Sequence, residues 1–180
     1  MTNNLGQSKM DYASLARQLI RPVEEAGQVI MDIYRDRPTI DIKADGSPVT
    51  EADKAAEAIL LPAIAAAAPS IQIVSEENPM SHDSAAGDQF FLVDPLDGTK
   101  DFLQGTGEYA VHLALVHQGA PVLGVVLLPE LEELWFGLLE AGAEAPGRAW
   151  RENRAGERFP ASLSPRRELG ELVLVASRNH

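Results

Sequence analysis

The 180-residue sequence predicts an α+β fold in which helices are layered on a sheet. Three features lead there. A long segment near the start repeats its apolar residues at helical spacing. Strand patterns outnumber helical ones after residue 88. No internal repeat and no linker composition divides the chain. A doubly wound sheet would instead alternate strand and helix throughout.

Residues 1–10, "MTNNLGQSKM", read as a flexible polar tail, leaving one domain over 11–180. From Asp11 to Tyr34, the residues Tyr12, Leu15, Leu19, Val23, Ala26, Ile30 and Ile33 define one buried helical face. Pro22 should kink or divide that helix. "TIDIK", Thr39 to Lys43, alternates like a half-buried strand, and Ala44 to Pro48 is loop chemistry. Thr50, with Asp53 three positions on, opens an alanine-rich helix in the manner of a capping box. "IQIVS" (Ile71–Ser75) and "QFFLVD" (ending at Asp94) read as strands around a polar loop from Asn78 to Gly87. "YAVHLALVHQGAPVLGVVLLP" reads as two strands turning near Gln118–Gly119. Short strands are expected at Leu134–Leu138 and Leu172–Ala176.

The bulk properties exclude several functions. A formal charge of −12 argues against general binding to nucleic acid or anionic membrane, which relies on Lys and Arg. It leaves room for a small anionic ligand if a metal ion reverses the local sign. With no cysteine there is no disulfide, zinc–thiolate site or thiol nucleophile. The opening lacks the apolar stretch of a signal peptide, and "AILLPAIAAAA" (Ala58–Ala68) is too short to span a bilayer. A cytoplasmic protein is expected, with peripheral association at an inner membrane left open.

Acidic residues recur at element ends: Asp53 at a helix start, Glu76 and Glu77 after one strand, Asp94 and Asp97 after another. Side by side, five carboxylates repel one another unless cations intervene. Oxygen donors without sulfur suit a hard ion such as Mg²⁺. Taken singly, each piece has a plainer reading: a helix cap at Thr50–Asp53, a solvated loop at Glu76–Glu77, a turn at Asp94 held extended by Pro95. The stretch "DPLDGT" tips the balance, because five fixed residue types in that spacing arise by chance about once in a few million start positions. One covalent mechanism is also excluded. Phosphatases that form an aspartyl phosphate carry Asp-x-Asp-Gly-Thr, and the position two before Asp97 is Pro95, which cannot attack phosphorus. Water must be the attacking group.

"KADGSPVTEAD" (43–53), "SEE" (75–77) and "DPLDGTKDF" (94–102) resemble the inositol monophosphatase superfamily of Mg²⁺-dependent, lithium-sensitive phosphatases. Within it, "GTKDF" and the terminal "SRNH" are most similar to the CysQ-type 3′(2′),5′-bisphosphate nucleotidases. The resemblance runs from about Asp11 onward and implies the layered α/β sandwich of the inositol monophosphatase and sugar phosphatase type.

By that resemblance and by their chemistry, Glu76, Asp94, Asp97 and the Leu96 carbonyl hold Mg²⁺, with Glu77 in support. Thr99, held by Asp53, orients and deprotonates a metal-bound water. Gly98 leaves room for phosphate, and its amide and that of Thr99 face the anion if a helix begins there. The implied substrate is adenosine 3′,5′-bisphosphate, cleaved to AMP and phosphate and contacted by Glu76, Leu96, Asp97, Gly98 and Thr99. Ser177 and His180 would touch the nucleotide. Lys43 resembles a family lysine near the metals and reads equally as a solvated strand end. His112 and His117, in an apolar run, read as packed or edge residues, and Trp135 and Trp150 as core or interface. An inositol-phosphate or sugar-phosphate phosphatase is the alternative.

Relatives in the superfamily continue into a second domain with a Trp-Asp-x-Ala-Ala-Gly-like motif, which has no match here. The expectation is therefore an N-terminal metal-binding domain whose C-terminal partner is absent. An apolar face exposed by that absence would favour association, homo-oligomers included, or aggregation, and loss of the motif's aspartate, by the resemblance a further metal ligand, would leave the domain catalytically incompetent.

Overall fold

The computed structural model describes residues 11–35, 39–43, 48–82, 87–139 and 148–162, with residues 165 and 170. Its order is helix α1 (Tyr12–Arg35), strands β1 (Ile40–Ile42) and β2 (Pro48–Thr50), helix α2 (Glu51–Ala67), then strand β3 (Gln72–Ser75). A 3₁₀ turn (Pro79–Ser81) precedes β4 (Gln89–Asp97) and the short helix α3 (Thr99–Gln104). Strands β5 (Ala110–His117), β6 (Ala120–Leu128), β7 (Glu133–Leu138), β8 (Arg148–Glu152) and β9 (Arg158–Pro160) follow. The seven strands β3 to β9 form one sheet in sequence order, while β1 and β2 form a separate hairpin. Among the described residues, only β3 and β4 pair in parallel; the others are antiparallel neighbours.

Helices α1 and α2 pack on each other and on one face of the sheet. Their buried residues, Leu19, Val23, Ile30, Leu60 and Ile64 among them, meet Phe91, Val93, Leu113, Leu115, Leu123 and Val125. Alternation along β4 and β5 supplies that face: Phe91 and Val93 point inward, whereas Leu92 and Asp94 point away. Gly27 lets α1 lie close to β6, since a Cβ there would stand 2.3 Å from Leu127 Cδ2. Among the described residues no helix covers the other sheet face, and Leu92 and Trp135 are exposed on it.

The layered α+β expectation is met, and several details differ. The first helix runs unbroken through Pro22. Packing along its whole length against α2 and the sheet outweighs the one backbone bond that proline removes. The strand at residues 40–42 forms, but it is exposed rather than half-buried, because its hairpin stands off the sheet. The strand ending at Asp94 extends to Asp97. Pro48 to Thr50, β8 and β9 are strands with no clear signal in their sequence. The strand expected at Leu172–Ala176 and the tail at 1–10 lie outside the described residues. Trp150 stacks on Phe136 at a centroid distance of 5.0 Å, as a core residue does.

The turn from β4 into α3 depends on Gly98. It is the N-cap of α3 at φ 90°, in the left-handed region. A Cβ at that position would stand 2.8 Å from the Glu108 carbonyl oxygen. The backbone entering β5 therefore fills the space a side chain would need, which is a reason for glycine independent of any ligand. Replacing Gly98 by Ala is expected to destabilise the fold by about 2 kcal/mol or more. Urea unfolding checks this, and an unchanged midpoint contradicts it.

Candidate active site

The parallel register of β3 and β4 decides where the acids meet. Ser75 lies opposite Val93, and the Glu76 amide donates to the Val93 carbonyl at 3.0 Å. The next residues on the two strands, Glu76 and Asp94, therefore emerge side by side. Ser75 is itself buried, its hydroxyl donating to Glu57 Oε1 at 2.5 Å. His82 holds the Ser75 carbonyl at 2.7 Å through Nε2. These contacts fix the chain where Glu76 departs.

Asp94 records the resulting crowding. Burial pushes its carboxyl up to about 8, and the charge of Glu76, a hydrogen bond with Glu76 and the charge of Asp97 act in the same direction. The Leu96 amide, donating to Asp94 Oδ1 at 3.1 Å, only partly offsets this. Nitrogen-bearing side chains already approach the cluster. Lys43 Nζ lies 2.7 Å from Glu77 Oε1 and 3.2 Å from Glu76 Oε1. His112 Nε2 lies 3.4 Å from Asp97 Oδ2. The Lys43 ammonium is favoured by its bonds to Glu77 and Glu76, which outweigh the opposing burial. Burial raises Glu77 despite Lys43. The Asp97 contact raises His112 in the same way.

Asp53 and Thr99 form the second half of the site. Thr50 caps α2, taking the Ala52 amide on its hydroxyl oxygen at 3.1 Å. Its own amide and hydroxyl donate to Asp53 Oδ2 at 2.7 and 2.6 Å. The capping box thus exists, and it leaves Asp53 fully buried with Oδ1 still available. Thr99 Oγ1 reaches that atom at 3.2 Å and the Leu96 carbonyl oxygen at 3.3 Å. A residue that reads as a plain helix cap is therefore shared between cap and site.

The expected residues separate as follows. Glu76, Asp94 and Asp97 gather at the ends of β3 and β4, and Leu96, Gly98 and Thr99 lie in the turn that follows. Asp53 joins them from α2. Ser177 and His180 lie outside the described residues. Among the described residues, no three His, Asp or Glu side chains already stand in an arrangement that holds an ion. Glu76 is drawn toward Lys43 and Asp94, and Asp97 toward His112. His117 is packed as expected, taking part in a 2.9 Å contact with the Tyr12 hydroxyl. His112 departs from that expectation. It projects from β5 opposite Asp94 and reaches the acids. Its signal was its place in the strand antiparallel to the motif.

A hollow of about 480 Å³ adjoins the acids on the open sheet face, lined by Val74, Leu92, Ala114 and Val126 with Glu76, Asp94 and His112. A second hollow, between α1 and the β6–β8 edge, lies away from them, and its lining residues have partners already, Arg154 with Glu132 and Glu130 with the Tyr109 hydroxyl among them.

Because folding raises the Asp94 value, the folded chain binds that proton more tightly than the unfolded chain from about pH 4 to about pH 8. Stability conferred by the proton is lost as the pH rises through that window. Asp94→Asn is therefore expected to raise the melting temperature of the metal-free protein at pH 7, with the gain vanishing near pH 4. A melting temperature lowered at pH 7 contradicts this.

Comparison with known proteins agrees with this geometry. The family model described as "Inositol monophosphatase family" matches residues 7–179. The 3′(2′),5′-bisphosphate nucleotidase CysQ of Salmonella typhimurium is 36% identical over 169 residues, covering 92% of this chain and 64% of that protein. CysQ of Escherichia coli K12 is 35% identical over 166 residues, covering 91% and 63%. The chain thus spans a little under two thirds of these relatives' length. Among solved structures, the extragenic suppressor protein suhB of Bartonella henselae superimposes with a TM-score of 0.67 at 30% identity, over 87% of this chain and 56% of that one. CysQ of Bacteroides thetaiotaomicron gives 0.59 at 31% identity, over 89% and 55%. With the acid-bearing strand ends, the Gly98 turn and the buried Asp53 all inside the matched region, the chain belongs to the inositol monophosphatase family.

Proposed function

We propose that this chain carries the metal-binding site of a Mg²⁺-dependent phosphatase that removes the 3′-phosphate of adenosine 3′,5′-bisphosphate. The observation that carries the reading is the Thr99 hydroxyl, bonded to a buried carboxylate and set one turn from a cluster of acids.

The donor set fits a hard divalent cation. Every donor at the β3 and β4 ends is an oxygen, and Asp94 is held near 8 by burial together with negative neighbours whose charge a cation would offset. Glu76, Asp94, Asp97 and the Leu96 carbonyl would hold Mg²⁺. Bound there, such ions neutralise phosphate charge and make water more acidic. Lys43, already shared between Glu76 and Glu77, leaves part of their charge available when it swings aside.

The chain's own groups handle the proton. Thr99 donates toward Asp53 Oδ1, so its oxygen lone pairs are free to accept hydrogen from a water. As that water attacks phosphorus, its proton passes to Thr99 Oγ1 and the threonine proton passes to Asp53 Oδ1. Asp53 can take it because its other oxygen stays fixed by Thr50. A P–O bond forms to water, the P–O bond to the ribose oxygen breaks, and that oxygen gains a proton from solvent. Gly98 gives the turn its close approach to β5, keeping Thr99 at this distance from Asp53.

The nucleotide substrate rests on the similarity to CysQ proteins and on "GTKDF" at 98–102. A second reading has its own support. Among the described residues no three acids already stand in an arrangement that holds an ion, which favours a metal-binding module without turnover of its own.

Phosphate release from adenosine 3′,5′-bisphosphate, an inositol monophosphate and fructose bisphosphate, with and without Mg²⁺, tests these readings. Release from the nucleotide alone, dependent on Mg²⁺ and reduced about 100-fold or more in Thr99→Ala, is expected. Broad release favours the inositol or sugar phosphatase class. No release favours the module, and an unchanged rate in Thr99→Ala removes Thr99 from the chemistry.

A further inference from the structure

We infer that Glu57 is a positioning residue for the metal centre: its carboxylate, bonded to the Ser75 hydroxyl, ties the end of β3 to helix α2 and so sets where Glu76 presents its acid. The inference rests on the metal reading above and adds a residue to it.

Glu57 is oddly placed for a surface charge. From Ala55 to Ala67 it is the one ionisable residue of α2. The helix gives alanine or proline to its water-facing positions 58, 62, 65 and 66, and puts the acid at the half-buried position 57. Solvation alone would favour the opposite choice. Glu57 also stands one turn after Asp53, so both acids reach the site from one side of the helix. Its partner explains the position. Ser75 is buried, and its hydroxyl donates to Glu57 Oε1 at 2.5 Å. An ionised carboxylate only accepts, so the two groups are complementary, and without Glu57 the hydroxyl loses its acceptor away from water.

Ser75 ends β3, and Glu76 follows it. Among the described residues β3 is an edge strand, paired by β4 alone. The end of such a strand opens locally unless something else holds it. The Ser75 amide donates to Ser81 Oγ at 3.1 Å. Its carbonyl accepts from the Asn78 amide at 3.2 Å, from His82 Nε2 at 2.7 Å and from Ser81 Oγ at 3.2 Å. These partners all belong to the loop that Glu76 begins, so they travel with the strand end. The Glu76 side chain meets Lys43 and Asp94, contacts that a cation displaces. Two bonds at this point reach the body of the fold. The Glu76 amide donates to the Val93 carbonyl at 3.0 Å, and the Ser75 hydroxyl donates to Glu57. The first sets the strand end against β4 and the second sets it against α2. Either alone leaves a hinge; together they fix Glu76 relative to Asp94 and Asp53.

The test pairs Mn²⁺ titration of the full chain, followed by electron paramagnetic resonance, with amide hydrogen exchange of the metal-free chain, followed by nuclear magnetic resonance. Glu57→Met and Ser75→Ala each remove the bond, whereas Glu57→Gln keeps an acceptor oxygen and loses the charge. Glu57→Leu replaces Glu57→Met if the latter fails to fold by thermal melting. The Mn²⁺ dissociation constant is expected to rise about 10-fold in each bond-less variant, to rise no further in the double variant, and to stay within about threefold in Glu57→Gln. The Glu76 amide is expected to exchange about 10-fold faster in both bond-less variants, with the amides of β5 unchanged. Unchanged affinity in either bond-less variant overturns the inference and leaves the metal reading standing, whether or not exchange quickens. Equal weakening in Glu57→Gln and Glu57→Met assigns the effect to charge and also overturns it. So do losses that multiply in the double variant, and weakened affinity with the Glu76 amide still protected. Failure of the unmodified chain to bind Mn²⁺ overturns the metal reading and the inference together.

Discussion

One pairing organises the site: β3 runs parallel to β4, and every other adjacent pair in the sheet is antiparallel. Parallel strands end together, so the residues just past Ser75 and Val93 leave the sheet as neighbours. Both are acids. Two carboxylates emerging together, with Asp97 three residues on, cannot all carry charge cheaply away from water, and Asp94 retains its proton to about 8. An antiparallel β3 would place Glu76 at the far end of the sheet and relieve the repulsion. The fold instead concentrates negative charge at one corner, and the Lys43 ammonium and the His112 ring turn toward it.

The second constraint is burial of Asp53. A capping-box carboxylate at the surface would spend both its oxygens on solvent and backbone. Here α2 begins beneath the β4–α3 turn, so one oxygen serves the cap while the other meets Thr99. The turn that carries Thr99 is in turn held by Gly98, whose left-handed backbone clears the Glu108 carbonyl. Cap, turn and strand end are thus one packed unit, and shifting any of them misplaces the others. Stability and chemistry oppose each other at Asp94, where the arrangement suited to a cation is strained without one.

Much of this was readable from the chain. The capping box is local, so Thr50 and Asp53 declare themselves within four residues. The acids at strand ends are visible because apolar runs stop abruptly at Ser75 and Val93. Other parts were not legible, for physical reasons. The strands β8 and β9 carry arginines in place of apolar alternation, and hold through cross-strand stacking: Arg158 over Trp150 at 4.4 Å and Arg151 over Phe159 at 4.8 Å. Partners so far from the local sequence pattern leave no periodicity. Ile40 and Ile42 alternate as if one face were covered, yet both stay exposed because their hairpin packs off the sheet. His112 sits in an apolar run, and only the register with Asp94 reveals its reach toward Asp97.

The central claim is that Glu76, Asp94 and Asp97 converge on a divalent cation. Anomalous diffraction from crystals of the protein soaked in Mn²⁺ tests it most directly. The expected map shows a peak bonded to oxygens of these three side chains, with the Glu76–Asp94 hydrogen bond broken. A map with no peak there, and that hydrogen bond intact while Mn²⁺ is bound elsewhere, contradicts it.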